Sequence, residues 1–339
     1  MTLVPAAAPR ARNEYPVRAI GPERLRIATP HGDAVAPFYR STARGDVTRI
    51  VIVLHGRLRD ADAYLASAQR ALDAAGPCAD GTLLLVPQFL ASADIAAHGL
   101  TADVLHWEWT AWMGGDDARG PTSLSSFDVL DALLARCLEP GRHPALREIV
   151  VAGHSGGAQV AHRYAIVGRA AAACRAQGLA VRYVIANPSS YVYFDAFRPF
   201  PAGRGGDACP GVDDWKYGVR RPPRYAARAD FTVLARAYAQ SDVTYLLGGN
   251  DDDPAHQALD RSCAAAAQGP HRLARGRAYV AYLRRLFPGN RHVCREIPGV
   301  GHDGDAMLGS APGILALFGV TVEADRLAAL GTVSTGAGD

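Results

Sequence analysis

The stretch Glu148-Ile-Val-Val-Ala-Gly-His-Ser155-Gly-Gly157, followed by Ala158-Gln-Val-Ala-His-Arg-Tyr-Ala-Ile166, decides the fold. It begins as a short β-branched run, which is typical of a buried strand, and continues with the apolar spacing of a helix. A serine between glycines at such a junction is the pattern of a nucleophile elbow, a turn too tight for flanking Cβ atoms. The positive end of the following helix then faces any oxyanion that forms. The segment predicts a hydroxyl at Ser155 that is held clear of the sheet, and it favours serine hydrolase chemistry.

The composition is that of an ordinary globular chain. Its 339 residues are 49% hydrophobic and 20% charged, with a formal net charge of +3. Lys216 is the single lysine, so arginine carries nearly all the positive charge. The densest basic stretch, 272–285, falls on a predicted helix, where a solvated face is expected. We therefore predict no nucleic-acid partner.

Other function classes find little support in the sequence. No apolar run reaches the roughly 18 residues of a membrane-spanning helix. The chain has no Cys-x-x-Cys, no His-Glu-x-x-His and no phosphate-binding glycine loop, so we predict no metal and no cofactor. The N-terminus lacks a signal peptide's features, yet its alanine- and proline-rich start resembles mature ends after signal removal, which favours a secreted or periplasmic protein as a hypothesis. Cys209 and Cys263 lie in loop-rich segments and either form a disulfide or stay free.

After residue 20 the chain alternates between short apolar runs and helical patterns. The predicted strands are Leu25–Thr29, Ala34–Arg40, Arg49–Leu54, Thr82–Val86, Glu148–Ala152, Val181–Ala186, Asp242–Leu247 and His292–Ile297. The predicted helices are Asp62–Ala75, Ser126–Leu138, Gly156–Val167, Pro254–Gln268, His271–Phe287 and Asp305–Phe318. Apolar strands alternating with helices predict an α/β fold with a mostly parallel sheet covered on both faces.

The predicted organisation is one domain. Residues 1–20 are expected to form a poorly structured lead, and residues 21–339 a single α/β domain. Two segments, at about 93–125 and 188–241, exceed ordinary connection lengths and are expected to be insertions that act as lids or binding elements. Oligomeric state is left open.

Two residues downstream of Ser155 are placed to act with it. Ligands of such sheets bind outside the carboxyl ends of the strands, and Asp251 and His302 both follow predicted strands. The chain order is serine, acid, histidine. His302 would take and return the serine proton, and Asp251 would orient the imidazole.

The identity of the acid stays open between several aspartates. Asp251 has the expected spacing after Gly248, whereas Asp252 or Asp253 could instead cap a helix beginning near Pro254. Asp195 is an outside alternative, and Asp303 is expected to be a helix cap or a neighbour of the histidine.

An oxyanion hole is expected beside the serine. His55-Gly56 follows the strand Arg49–Leu54, and glycine lets that loop bend toward Ser155. The predicted donors are the backbone amides of Arg57 and Gly156.

At these positions the chain resembles the α/β-hydrolase superfamily, specifically its serine esterase and lipase-like members. The motifs that carry the resemblance are Leu-His55-Gly, Gly-His-Ser155-Gly-Gly, Gly-Gly-Asn-Asp251 and Gly-Val-Gly-His302-Asp, and it covers about residues 45–320. The resemblance implies an eight-stranded, mostly parallel sheet and a Ser–His–acid triad that forms a covalent acyl-enzyme. By analogy, Gln159 and His162 are packing or hydrogen-bonding residues.

Aromatic residues in the two insertions have two interpretations. As pocket walls, Trp107, Trp109, Trp112 and Tyr191 would bind an apolar or aromatic part of the substrate. As packing residues, the same four would hold the long loops against the body.

The sequence thus predicts a cofactor-independent serine hydrolase acting on a small or polymeric carboxylic ester. An acyltransferase that uses the same acyl-enzyme is an alternative. A non-catalytic binding protein on the same fold is another.

Overall fold

The computed structural model describes residues 12–30, 32–200 and 209–322. Its strands are β1 Glu23–Ile27, β2 Ala34–Arg40, β3 Arg49–Leu54, β4 Thr82–Pro87, β5 Leu90–Ala91, β6 His106–Trp107, β7 Glu148–His154, β8 Ala180–Ala186, β9 Asp242–Gly248 and β10 Val293–Ile297. Eight of them form one sheet in the order β1-β2-β4-β3-β7-β8-β9-β10, and β5 pairs with β6 in a small second sheet. Strand β2 is antiparallel to both its neighbours, and all pairs from β4 to β10 are parallel. The predicted mostly parallel, eight-stranded sheet is confirmed.

The central strands β3, β4 and β7 are buried on both faces, as their continuous apolar runs predict. In β3, Ile50 and Ile52 belong to one core cluster, while Val51 and Val53 belong to the other. Because successive side chains of a strand point to opposite faces, each face must be covered by its own layer.

Ten helices of the described residues cover the sheet and its edges. They are α1 Ala61–Ala75, α2 Ser92–His98, α3 Ser126–Cys137, α4 Gly156–Val167, α5 Ala170–Ala176, α6 Phe231–Ala239, α7 Cys263–Ala266, α8 Arg272–Leu286, α9 Gly304–Gly309 and α10 Ala311–Phe318. Buried residues of α1, α9 and α10 belong to the cluster of Val51, and those of α3, α4, α5 and α8 to the cluster of Ile50.

The predicted helix Pro254–Gln268 is wrong over most of its length. Only α7 is helical there, and residues 251–262 form turns. Side chains of Asp253, His256 and Asp260 accept backbone N–H bonds two residues ahead, which satisfies the backbone without a helix. The predicted last helix is divided into α9 and α10, since Ser310 ends the first and caps the second.

The two predicted insertions contain helices that the sequence patterns did not reveal. Helix α2 begins at the edge of the first insertion, and α6 ends the second. Helices α2 and α5 have seven residues each, too few turns to show a clear apolar period. Helix α6 is amphipathic, so its pattern was a usable signal.

Residues 12–20 differ from the predicted poorly structured lead, of which residues 1–11 lie outside the described residues. The buried guanidinium of Arg59 donates to the carbonyls of Asn13 and Tyr15, and Asp94 accepts from the amide of Val17. Arg59 and Asp94 are themselves a fully buried ion pair with an N–O distance of 2.8 Å. The start of the described chain is therefore bound to the body by a charged pair distant in sequence.

The prediction that the basic stretch on α8 is a solvated face is also corrected. Arg272 and Arg275 are each 1% exposed, so the stretch is not simply a solvated face.

Cys209 and Cys263 form a disulfide, which resolves the choice that the sequence left open.

Candidate active site

Ser155 is the single residue between β7 and α4, and it sits in a strained turn. Its φ of 57° and ψ of −115° lie outside the regions that L-residues prefer. A Cβ added to Gly153 would lie 2.3 Å from the Gly157 carbonyl carbon, and one added to Gly157 would lie 2.0 Å from the Leu54 carbonyl oxygen. These glycines are needed because backbone passes where a side chain would be. The turn has the geometry that the Gly-x-Ser-x-Gly pattern predicts.

The structure brings Ser155, His302 and Asp251 together at the carboxyl ends of the parallel strands. The Ser155 hydroxyl donates to His302 Nε2 at 2.9 Å, and His302 Nδ1 donates to Asp251 Oδ2 at 2.7 Å. Asp251 follows β9 and His302 follows β10, so neighbouring strands deliver both residues to one edge. Asp251 is 3% exposed, and a carboxylate so buried needs partners of this kind.

Arg272, the first residue of α8, is the second partner of that carboxylate. Its Nη1 donates to Asp251 Oδ1 at 3.1 Å. Both side chains are almost fully buried, at 0% and 2% exposure. This contact could not be predicted from the sequence, because α8 has the pattern of an exposed basic helix.

The charges around His302 suit a proton acceptor at neutral pH. Burial lowers the pKa of the imidazole, and the charge of Arg272 lowers it further against the raising effect of Asp251. Burial raises the pKa of the Asp251 carboxyl, but its hydrogen bond from His302 and the charge of Arg272 outweigh burial, so the net pKa is lowered. A neutral imidazole beside an ionised carboxylate is the combination that a general base requires.

Ser155 and His302 open into a cavity of about 610 Å³. One wall comes from the loop after β3 and the start of α1, and the other from the turns of the 251–262 segment. The lining residues are Gly56, Arg57, Leu58, Asp60, Tyr64, His154, Ser155, Asp253, Ala255, His256, Gln257, Ala258, His302, Asp303 and Gly304. The volume fits a small group or one end of a longer molecule.

Arg57 approaches Gly156, the residue that follows Ser155 in the chain. The Arg57 amide nitrogen is 3.1 Å from the position that a Cβ on Gly156 would take. Gly156 opens α4, a helix of 12 residues, so its amide stands at the positive end of the helix dipole. Arg57 also lines the cavity.

The structure does not place the predicted aromatic residues in the cavity. Trp107 is 1% exposed and packs edge-on against Phe89, and Trp112 is fully buried. Tyr191 is fully buried and stacks on Tyr279 with ring centroids 4.5 Å apart. These side chains hold the long segments to the core, because only there can large rings exclude water on both faces.

Trp109 is half-buried and also lies outside the cavity lining. The guanidinium of Arg59 sits 5.4 Å from its ring centroid. The interpretation of Trp109 as a pocket wall is therefore replaced by that of a partner for a buried cation.

The other aspartates that the sequence offered as the orienting acid do not contact the ring of His302. Asp303 caps α9 through the amides of Asp305 and Ala306, as one of its two interpretations expected. Asp253 accepts from Ala255, and Asp195 from Phe197, both within exposed turns. Asp252 is exposed. Only Asp251 reaches the His302 ring among the described acidic residues.

Three further residues of the site were not found from the sequence. His154 lies against His302 with ring centroids 4.7 Å apart, and its Nδ1 is 3.0 Å from the Tyr64 hydroxyl. His256 packs edge-on against the other side, with centroids 5.0 Å apart. The position of His154 next to Ser155 was a usable signal, whereas Tyr64 and His256 carry no local signature.

Neither a metal site nor a membrane-spanning helix is found in the parts of the chain that the structure describes. There, no three His, Cys, Asp or Glu residues are grouped closely enough to hold a metal ion. No helix of those parts is long and apolar enough to cross a bilayer.

Two solved structures resemble this chain over most of its length. One is poly(aspartic acid) hydrolase-1 from Sphingomonas sp. KT-1, at 23% identity and a TM-score of 0.56, with 86% of this chain and 96% of that chain covered. The other is the poly(3-hydroxybutyrate) depolymerase LpqC from Bordetella parapertussis, at 21% identity and a TM-score of 0.59, with 91% and 94% covered. No protein-family model and no curated protein matches the chain. At these identities the likeness is one of fold.

Proposed function

We propose that this chain, which has the α/β-hydrolase fold, is a serine hydrolase that cleaves a carboxylic ester through a covalent acyl-enzyme. The observation that carries the proposal is the hydrogen-bonded chain from Ser155 through His302 to Asp251 at the cavity floor, with distances of 2.9 Å and 2.7 Å. A nucleophile, a base and an orienting acid in this geometry are the elements of acyl transfer.

In the proposed first half-reaction, the Ser155 Oγ attacks the carbonyl carbon of the ester. Its proton passes to His302 Nε2, and the carbonyl oxygen becomes an oxyanion. The amides of Arg57 and Gly156 would donate to that oxyanion, assisted by the dipole of α4. The C–O bond to the alcohol then breaks, and His302 returns the proton to the departing alcohol.

In the second half-reaction, water repeats these steps on the acyl-enzyme. His302 takes a proton from the water as its oxygen attacks the acyl carbon, and then protonates Ser155 Oγ as that bond breaks. The products are a carboxylic acid and the free serine. Asp251 holds the Nδ1–H tautomer throughout, which leaves Nε2 available for each transfer.

The choice of an ester rests on one structural neighbour, which is named as a depolymerase of poly(3-hydroxybutyrate), a polyester. The other neighbour is named as a hydrolase of poly(aspartic acid), whose units are joined by amide bonds, so amide cleavage by the same acyl-enzyme chemistry is the alternative. The cavity of about 610 Å³ accepts a short acyl or alcohol group. We therefore propose that the substrate is a small ester or the end of a polymeric one.

The test is intact-mass labelling with a fluorophosphonate, together with hydrolysis of p-nitrophenyl esters of increasing acyl length. We expect one label per chain and turnover of the short esters. Ser155→Ala should lose the label and about 10⁴-fold or more of the turnover. The matched control is Ser190→Ala, a buried serine that contacts Gln159 and Arg163 and should label like the wild type.

Absence of label and turnover in folded wild-type protein would overturn the acyl-enzyme proposal and favour a binding protein. Diversion of product by an added alcohol, at an unchanged rate of acyl-enzyme formation, would identify an acyltransferase instead.

A further inference from the structure

We propose that Arg272 is a positioning residue for this reaction, which fixes the carboxylate of Asp251 and through it the ring of His302. The inference rests on the proposed function, since it assigns a role within that same site. Arg272 is absent from the cavity lining and would not touch the substrate.

The two oxygens of the Asp251 carboxylate are divided between two donors. Oδ1 accepts from Arg272 Nη1 at 3.1 Å, and Oδ2 accepts from His302 Nδ1 at 2.7 Å. With both oxygens engaged, rotation of the carboxylate would break one of the bonds. The acid therefore presents one oxygen to the imidazole in a fixed direction, as orientation of the base requires.

Arg272 is itself held by further contacts. Its Nε donates to Ser189 Oγ at 3.1 Å, and its Nη2 is 3.4 Å from His256 Nδ1. A planar guanidinium supplies donors in fixed directions, so one side chain can bind three groups at once, which a lysine ammonium on its flexible stem does poorly. The same residue thus connects the acid to the loop after β8 and to the cavity wall at His256.

Arg275, one turn further along α8, provides the contrast. It is equally buried at 1% exposure, but its Nε and Nη1 donate to the backbone carbonyls of Gly269 and Ser189. It touches no residue of the proposed triad. Burying either arginine costs a similar desolvation free energy, yet only the guanidinium of Arg272 forms an ion pair with Asp251.

The sign of the expected pH effect follows from the groups around His302. The charged and titratable groups that face His302 or its immediate partners are Asp251, Asp253, Arg272, His256, His154 and Arg57. Burial and the charge of Arg272 lower the pKa of His302, and that charge also lowers the pKa of Asp251. Removing that charge raises both pKa values, so, as the pH falls, the active pair of neutral imidazole and ionised carboxylate is lost at a higher pH than in the wild type.

The experiment compares Arg272→Gln, Arg272→Lys and Arg275→Gln in the full chain, with p-nitrophenyl acetate as substrate. For Arg272→Gln we expect kcat to fall by about 10- to 100-fold, with a smaller change in KM, and the acid limb of kcat/KM to move to higher pH. For Arg272→Lys we expect a loss of about tenfold in kcat with the limb near its wild-type position, because the charge remains. Arg275→Gln should lower thermal stability comparably and leave the limb in place.

Several outcomes would overturn the role of Arg272. One is a wild-type kcat and acid limb in folded Arg272→Gln, and another is an equal kcat loss without a limb shift in both glutamine variants. If Arg272→Gln yields no folded protein, a wild-type kcat in Arg272→Lys would overturn it as well. Turnover by the wild type separates these results from failure of the proposed function, in which the wild type itself neither labels nor hydrolyses esters.

Discussion

The turn at Ser155 and the 251–262 segment both contribute to the cavity lining, yet they are built in different ways. The turn is fixed by backbone: a strand ladder enters it, α4 leaves it, and glycines leave no alternative path. The 251–262 segment is fixed by side chains that accept backbone amides, and by Arg272 from a separate helix. The turn can therefore be predicted from local sequence, whereas the conformation of the 251–262 segment cannot.

The turn and the segment also have different roles in the proposed site. The rigid turn holds the proposed nucleophile, where small displacements are costly. The side-chain-bound segment forms a cavity wall, where different side chains can be accommodated without moving the sheet. Changes in the turn should therefore abolish activity, and changes in the wall should modify binding.

The largest effect is expected from Gly157→Ala. The added Cβ would lie 2.0 Å from the Leu54 carbonyl oxygen, and both partners are backbone, so strand and helix must separate. We expect a loss of about 3 kcal/mol or more in the free energy of unfolding, measured by chemical denaturation, and loss of fluorophosphonate labelling. Gly309→Ala, which meets nothing within 4 Å, is the control and should label normally. Normal stability of Gly157→Ala would contradict a backbone-fixed turn.

A second prediction concerns the point where the two regions meet. Asp251→Asn removes the charge that fixes the imidazole tautomer, and we expect kcat to fall by about 10⁴-fold while the protein stays folded. The exposed neighbour Asp252→Asn should keep wild-type kcat, as measured by ester hydrolysis at neutral pH. The reverse pattern would mean that the acid has been assigned to the wrong aspartate.

The smallest effect is expected in the wall. His256 Nδ1 accepts from the Ala258 amide at 3.1 Å, and burial followed by the charge of Arg272 lowers its pKa, so the neutral ring carries its proton on Nε2. For His256→Ala we expect KM to rise by about two- to tenfold through loss of one donor, with kcat within about twofold. Arg261→Ala, exposed and outside the lining, is the control. A kcat loss as large as that of Asp251→Asn would place His256 in the chemistry instead.

The sequence predicted much of the site because its central residues follow local rules. Ser155 and Asp251 follow strands that their apolar runs reveal, and His302 follows the more polar strand β10. Parallel strands must deliver their carboxyl ends to one edge. The aromatic residues obey no such rule. For Trp107 and Tyr191 the sequence leaves both a pocket wall and a packing role open, and the fold buries both side chains.

The prediction that the basic stretch on α8 is a solvated face was wrong at Arg272 and Arg275 for a related reason. Arg272 and Arg275 have the same sequence context as an exposed basic face, and no neighbouring residue in the sequence indicates which groups they contact. Asp251 lies 21 residues away from Arg272, and Ser189 lies 83 residues away. Contacts over such separations depend on how the sheet and its helices pack.

The sequence by itself determined the strand–turn–helix at Ser155, the parallel sheet and the order of serine, acid and histidine, because these depend on hydrogen bonds and side-chain spacing within short segments. The tertiary structure alone decided which aspartate reaches His302, which arginine shares that carboxylate, and which side chains line the cavity. Those choices depend on burial, since a charge removed from water must find its partner wherever the fold has brought one.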